Sequence, residues 1–214
     1  MFETRTAPEQ TCFSGQDVSR FFHKMGMRVT QYGEAVLRER GSVVTNFDEE
    51  LATLADEMCD TMRSHDGIGL AAQQVGRTMQ ICVVDLGQAA RETGGARWDG
   101  RDVPPTILMP LVLVNPKIEV SAPDEIDFME EGCLSFYKVR GDVPRPERIE
   151  VTYQDLQGIQ HHLACEGLLS RCIQHEVDHL NGVLFIDRMD KQDFAKIRGK
   201  ARRLKRRNQL VDPS

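Results

Sequence analysis

Leu51, Leu54, Ala55, Met58 and Met62 lie three, four, seven and eleven positions apart, which gathers them into one apolar stripe on a helix. The spacing predicts a helix over 47–64, with Asn46 as its N-cap and Glu49 as the capping-box partner. Asp66-Gly67 ends that region. Gln80 to Leu86 is a nearly unbroken apolar run and predicts a buried strand. Leu111 to Val120 predicts a second, with Pro116 marking an edge or a bulge. Ile149, Val151 and Tyr153, then Ile159, His161 and Leu163, alternate with polar residues on either side of Gln157-Gly158, the pattern of a hairpin. Residues 87–105, rich in Gly, Pro and charge, read as a surface loop. A second helix is expected over 167–181, stopped by Gly182, and a third over 190–208. Helices and antiparallel strands mix with no strand–helix–strand rhythm, so the fold class is α+β.

Composition narrows the setting. A chain of 214 residues with 40% apolar content can bury a core and is not wholly disordered. No apolar stretch approaches the roughly 18 residues of a membrane-spanning helix, so no membrane partner is expected. The first fifteen residues lack an apolar signal core, so no secretory signal is expected. The six cysteines form no C-x-x-C pair and are too sparse for a disulfide scaffold, which points to the reducing cytoplasm. The net charge of −6 conceals an asymmetry, because residues 196–214 hold eight Lys/Arg against Asp212 alone. An acidic body with a basic tail suggests that the tail seeks a polyanion; a solvated helix face is the plainer reading.

Gln174-His175-Glu176-Val177-Asp178-His179 contains H-E-x-x-H. Four positions make about one helical turn, so both histidines leave the same face and can share a metal ion. Glu176 is then placed to move a proton. Alone, the motif also fits two surface histidines beside a solvated acid. The apolar neighbours Leu168, Leu169, Cys172, Ile173 and Leu180 make the helix a buried one, where ionisable groups need a partner. The third ligand is open. Phe185 stands where a metzincin has its last histidine, and no Glu follows Glu176. Asp187 and Asp190 are candidates, but Cys133 in Glu130-Glu131-Gly132-Cys133-Leu134-Ser135 is the better one, since a thiolate binds Zn²⁺ or Fe²⁺ strongly. A third segment, Gly67-Ile68-Gly69-Leu70-Ala71-Ala72-Gln73-Gln74, allows close approach of backbone to a ligand. It matches neither nucleotide-binding glycine motif.

Together these segments resemble the peptide deformylase family. Its motifs G-φ-G-φ-A-A-x-Q, E-G-C-φ-S and Q-H-E-x-D-H-φ-x-G (φ hydrophobic) stand here in order, as Gly67 to Gln74, Glu131 to Ser135 and Gln174 to Gly182. The resemblance covers roughly residues 27–190. It implies antiparallel sheets packed around a central metal-binding helix, and removal of the formyl group from the N-formylmethionyl end of a new polypeptide. It divides the chain into an N-terminal extension (1–26), a catalytic domain (27–190) and a basic C-terminal helix and tail (191–214). Cys133, His175 and His179 would bind the metal, usually ferrous iron in the family, with Zn²⁺ or Ni²⁺ also open. Glu176 would be the general base and acid, and Gln74 and the Leu134 N–H would form an oxyanion hole. Backbone at Ile68, Gly69 and Gly132 would pair with the peptide as an added strand. Ile68 and Cys172 would hold the methionine side chain. Glu131 and Arg145 resemble the family's buried acid–arginine pair, and Asp178 would orient a ligand. The ribosome is an expected partner through the basic helix, and a monomer the expected state. Tyr137 departs from the family's frequent proline, in a loop expected to border the substrate.

Overall fold

The computed structural model describes residues 26–91, 94–121 and 123–211. The expected N-terminal extension lies outside them, apart from Gly26. Helix α1 (Glu49–Ser64) starts at Asp48, whose carboxylate accepts the Leu51 N–H at 3.1 Å. The cap is therefore Asp48 and not Asn46. Asp48 stands at the capping distance from Leu51, and its charge complements the helix N-terminus.

Among the described residues, nine strands follow the chain order β1 (Gly69–Ala71), β2 (Ile81–Val84), β3 (Ala96–Trp98), β4 (Arg101–Val103), β5 (Leu111–Val120), β6 (Ile126–Gly132), β7 (Arg140–Pro146), β8 (Arg148–Gln154) and β9 (Gln160–Glu166). Seven of them form one antiparallel sheet, ordered β1-β2-β5-β8-β9-β3-β4, and β6 and β7 form a separate hairpin. Three helices follow: α2 (Gly167–Leu180), the single turn α3 (Phe185–Arg188) and α4 (Lys191–Val211).

The sheet runs between two helices, which explains the apolar run at β2. Ile81 and Val83 join the cluster under α1, with Leu51, Ala55, Met58 and Met62. Cys82 and Val84 face the other way, into the cluster with Leu169, Cys172, Ile173 and Leu180 of α2. Both faces are dry, so apolar residues need not alternate with polar ones. Burying each large aliphatic side chain of this kind contributes roughly 1.5–3 kcal/mol. A third cluster, with Phe136, Val143, Leu184 and Phe185, receives Ile197 and Leu204 from α4.

Pro116 lies at a bulge inside the sheet, the second of its two expected places: β5 pairs with both β2 and β8, and the register shifts between Val114 and Lys117. Two expectations change. Residues 87–105 carry the β3–β4 hairpin, turned at Asp99-Gly100, both with positive φ (48° and 77°), and β3 extends the sheet beside β9. Helix α4 extends to Val211, three residues past its expected end. Among the described residues, no helix is long and apolar enough to cross a membrane.

Candidate metal centre

Helix α2 is buried from Leu169 through Leu180, polar residues included. Each buried polar group on it therefore needs a partner or a ligand. His175 Nδ1 bonds the Glu131 carboxylate at 2.9 Å, which leaves Nε2 available for a metal. His179 Nε2 lies 3.2 Å from the Cys133 Sγ, at the end of β6. One donor atom from each of Cys133, His175 and His179 falls within 4.8 Å of the others, the only such cluster among the described residues. Burial, helped by the nearby His175 and Arg145, pushes His179 well below its ordinary pKa and keeps the imidazole neutral, the form that binds metal. His179 Nδ1 and Glu176 Oε2 are both buried with no hydrogen-bond partner. The donor types and their convergence fit a single cation, and the unpartnered Glu176 oxygen lies beside it, free to accept a proton.

Glu176 sits beside the cluster. Burial pushes its carboxyl up to about 7, against the opposing pull of His175 and Arg145. A group with that proton affinity can both take and give a proton near neutral pH. Gly69 explains how β1 comes so close. A Cβ there would lie 2.3 Å from Glu176 Oε1 and 2.8 Å from Cys172 Sγ, so any larger residue would displace those two side chains.

Gln74 stands in a short 3-10 turn after β1. Its Oε1 accepts the Ala71 N–H at 2.8 Å, which points its Nε2 toward Cys133 Sγ and Ser135 Oγ, each at 3.3 Å. The Cys172 thiol donates to the Ile68 carbonyl at 3.3 Å, and burial holds it protonated, so it does not compete for the cation.

A cleft of about 500 Å³ opens over the cluster. Ile68, Gly69, Gln74, Gly132, Cys133, Leu134, Cys172, His175 and Glu176 line it, as do Glu131, Met129 and Leu168. The structure thus brings the sequence-selected residues of three distant segments to one place. Asp178 bonds Arg145 and Arg188, so its link to the histidines runs through Arg145 and Glu131. Asp187 and Asp190 do not join the cluster. Asp187 pairs with Arg38 and accepts the Leu184 N–H, and Asp190 caps the start of α4. Phe185 is buried, its ring stacked 6.3 Å from His175. Tyr137 does not line the cleft; its exposed ring meets Lys138 and Arg207 of α4 instead.

Glu131 is held well below the carboxylate range. Burial alone would raise it, but hydrogen bonds from His175 and Arg145 prevail. Arg171 is a further partner of Glu131 that sequence reasoning missed, at 2.7 Å. The available signal was a cation one helical turn before His175, set among Leu168, Leu169, Cys172 and Ile173.

Three convergent Cys/His donors beside an open cleft, with a buried carboxyl next to them, form the donor arrangement of metal-dependent hydrolases. The polypeptide deformylase family profile matches residues 27–195. The peptide deformylase of Opitutus terrae is 53% identical over 175 residues, covering 81% of this chain and 90% of its own length. Peptide deformylase 2 of Gloeobacter violaceus is 42% identical over 171 residues, covering 79% and 82%. Among solved structures, peptide deformylase 1B of Arabidopsis thaliana superposes with a TM-score of 0.73 at 34% identity, covering 88% of this chain and 94% of that one. The Synechococcus elongatus enzyme in complex with actinonin gives 0.68 at 43% identity, covering 81% and 87%.

The chain belongs to the polypeptide deformylase family. It is a metal-dependent hydrolase that removes the N-formyl group from newly made polypeptides.

Proposed function

We propose that Cys133, His175 and His179 hold one divalent metal ion and that Glu176 is the general base and acid. The observation that carries this reading is the convergence of the three donor atoms beside a buried, half-unpartnered carboxyl. When bound, the metal supplies Lewis acidity and lowers the pKa of a water at its open position, to about 7 in well-studied sites. Glu176 takes the proton of the attacking water and returns it to the leaving nitrogen. The Gln74 amide and the Leu134 N–H donate to the oxygen that gains charge, and such a donor is worth about 10²–10³ in kcat because it is fixed in advance. Backbone at Ile68, Gly69 and Gly132 pairs with the extended substrate, and Ile68 and Cys172 hold the methionine side chain. Glu131 and Arg145 hold the Cys133 segment in register, and Asp178 steadies Arg145.

The resemblance points to Fe²⁺, while a Cys/His/His set also accepts Zn²⁺ or Ni²⁺. Residues 27–190 act as the catalytic unit, in the cytoplasm, where the free cysteines stay reduced. A monomer is the proposed acting form. The deciding experiment is formate release from formyl-Met-Ala-Ser by anaerobically purified protein, paired with its metal content. A Glu176→Ala protein that binds metal and keeps full activity would defeat the assignment.

The basic helix α4 is proposed to contact ribosomal RNA. Its cations are exposed along 196–207, while Ile197, Ala201 and Leu204 are buried. Truncation would strip those three from the core, so substitution is the cleaner test. Replacing Lys200, Arg203 and Arg206 by Gln should weaken ribosome binding and flatten its salt dependence, by about one unit of slope for each phosphate no longer neutralised. Unchanged affinity would refute the proposed role of α4.

A further inference from the structure

We infer that Arg171 is a positioning residue for the metal centre, holding Glu131 against His175 and locking the hairpin that leads to Cys133 onto the histidine helix. The inference rests on the ligand reading above.

Arg171 is buried, with 7% of its side chain exposed. Its Nη1 donates to Glu131 Oε1 at 2.7 Å and to the Val143 carbonyl at 3.0 Å. Its Nη2 donates to the Asp127 carbonyl at 2.8 Å and to Asp127 Oδ2 at 3.0 Å. One α2 side chain thus ties β6 and β7 to the helix. A buried guanidinium costs several kcal/mol to desolvate, and only a full set of directed bonds offsets that. Arg145 grips both Glu131 oxygens, with Nε on Oε1 at 2.6 Å and Nη2 on Oε2 at 3.0 Å, and Oε2 also meets His175 Nδ1 at 2.9 Å. Arg145 is also bonded to Asp178, at 2.8 Å. Without Arg171, Glu131 keeps the fork of Arg145 on β7 but loses its only arginine bond to the helix that carries His175, so carboxylate and imidazole are free to shift against each other. The donor cluster draws Cys133 from the segment just after β6 and both histidines from α2. The separation of hairpin and helix is therefore also the separation of the ligands.

The test uses wild type, Arg171→Met, Arg171→Lys and Asp127→Asn, each loaded anaerobically with Co²⁺. The readouts are the visible Co²⁺ spectrum, the rate of metal loss to excess chelator and the unfolding midpoint of the metal-free chain. Arg171→Met should shift the spectrum and release metal about 10–100-fold faster, the usual effect of removing a group that orients a ligand. Arg171→Lys should fall between, because a single ammonium cannot span Glu131, Asp127 and Val143 together. Asp127→Asn should lower the unfolding midpoint and leave metal loss at the wild-type rate. An Arg171→Met protein within twofold of wild type with an unchanged spectrum overturns the inference. Asp127→Asn that speeds release as much as Arg171→Met overturns the hold on Glu131, since the bonds from Arg171 to Glu131 would then add nothing. If Arg171→Met does not fold, an Arg171→Lys protein that matches wild type overturns it. Wild type that takes up no stoichiometric Co²⁺ would instead overturn the ligand reading.

Discussion

Gly69→Ala is the smallest change that tests how closely β1 packs on Glu176. The added methyl would start 2.3 Å from Glu176 Oε1, whereas ordinary contact begins at 3.4 Å. The carboxylate must therefore retreat by about 1 Å, a displacement that costs on the order of 100-fold in rate for a reacting group. That factor equals about 2.7 kcal/mol of lost transition-state stabilisation. Overpacking a core site costs about 1–3 kcal/mol of stability. Removing glycine from the unfolded chain returns about 0.4–1 kcal/mol. The two effects on stability partly cancel, so kcat is the sharper readout. Gly69 lies outside the left-handed region, so alanine keeps the backbone and its pairing groups. The expected outcome is a kcat on formyl-Met-Ala-Ser lower by about 100-fold and a small fall in Tm. A kcat within threefold of wild type would show that Glu176 moves aside freely and that close packing at Gly69 does not hold it in place.

Glu176→Gln should keep its metal, by elemental analysis, while kcat falls by about 10²–10⁴-fold; loss of the metal instead would make Glu176 a structural group. Glu131→Gln leaves two buried arginines facing a neutral amide and should cost about 3–5 kcal/mol in urea unfolding; a change below about 1 kcal/mol would show that the cluster is slack. Far from the cleft, His161 lies between Asp99 at 2.7 Å and Asp155 at 3.2 Å. Burial opposes its charge, but the two carboxylates prevail and raise its pKa. Its contribution, below about 1 kcal/mol, is thus fully present below the ordinary value of about 6.5 and is lost as pH rises through the higher folded value. The stability gap between wild type and His161→Gln should close across that window, and a gap that stays constant with pH would remove the ion pairs from the account.

What the sequence revealed depended on how local the determining forces are. The α1 stripe, the β8–β9 hairpin and the H-E-x-x-H face follow from periodicity within one element, and the structure has them. The β6–β7 hairpin was not legible. β6 is mostly exposed, and β7 carries Pro144, Arg145 and Pro146, so neither alternates cleanly. Their pairing is held by Arg145 and Arg171, which meet partners 14 to 44 positions away. The β3–β4 hairpin was hidden because Gly94, Gly95 and Pro104 frame two three-residue strands that make sense only beside β9. At the centre itself, motif spacing brought forward His175, Glu176 and His179, while Cys133 came from donor chemistry and the family resemblance. Arg171 was passed over: its apolar neighbours on the helix signal burial, but its partners Asp127, Glu131 and Val143 lie 28 to 44 positions away.

Cys133 and His179 are 46 positions apart in the chain. In an unfolded polypeptide they have no reason to meet, so tight capture of a cation requires that the hairpin segment and the helix have already come together. Occupancy then counts wholly toward the native form: at a free concentration a hundred times Kd it adds about 2.7 kcal/mol. A cell short of the ion would lose turnover and would also expose more of this polypeptide to its proteases.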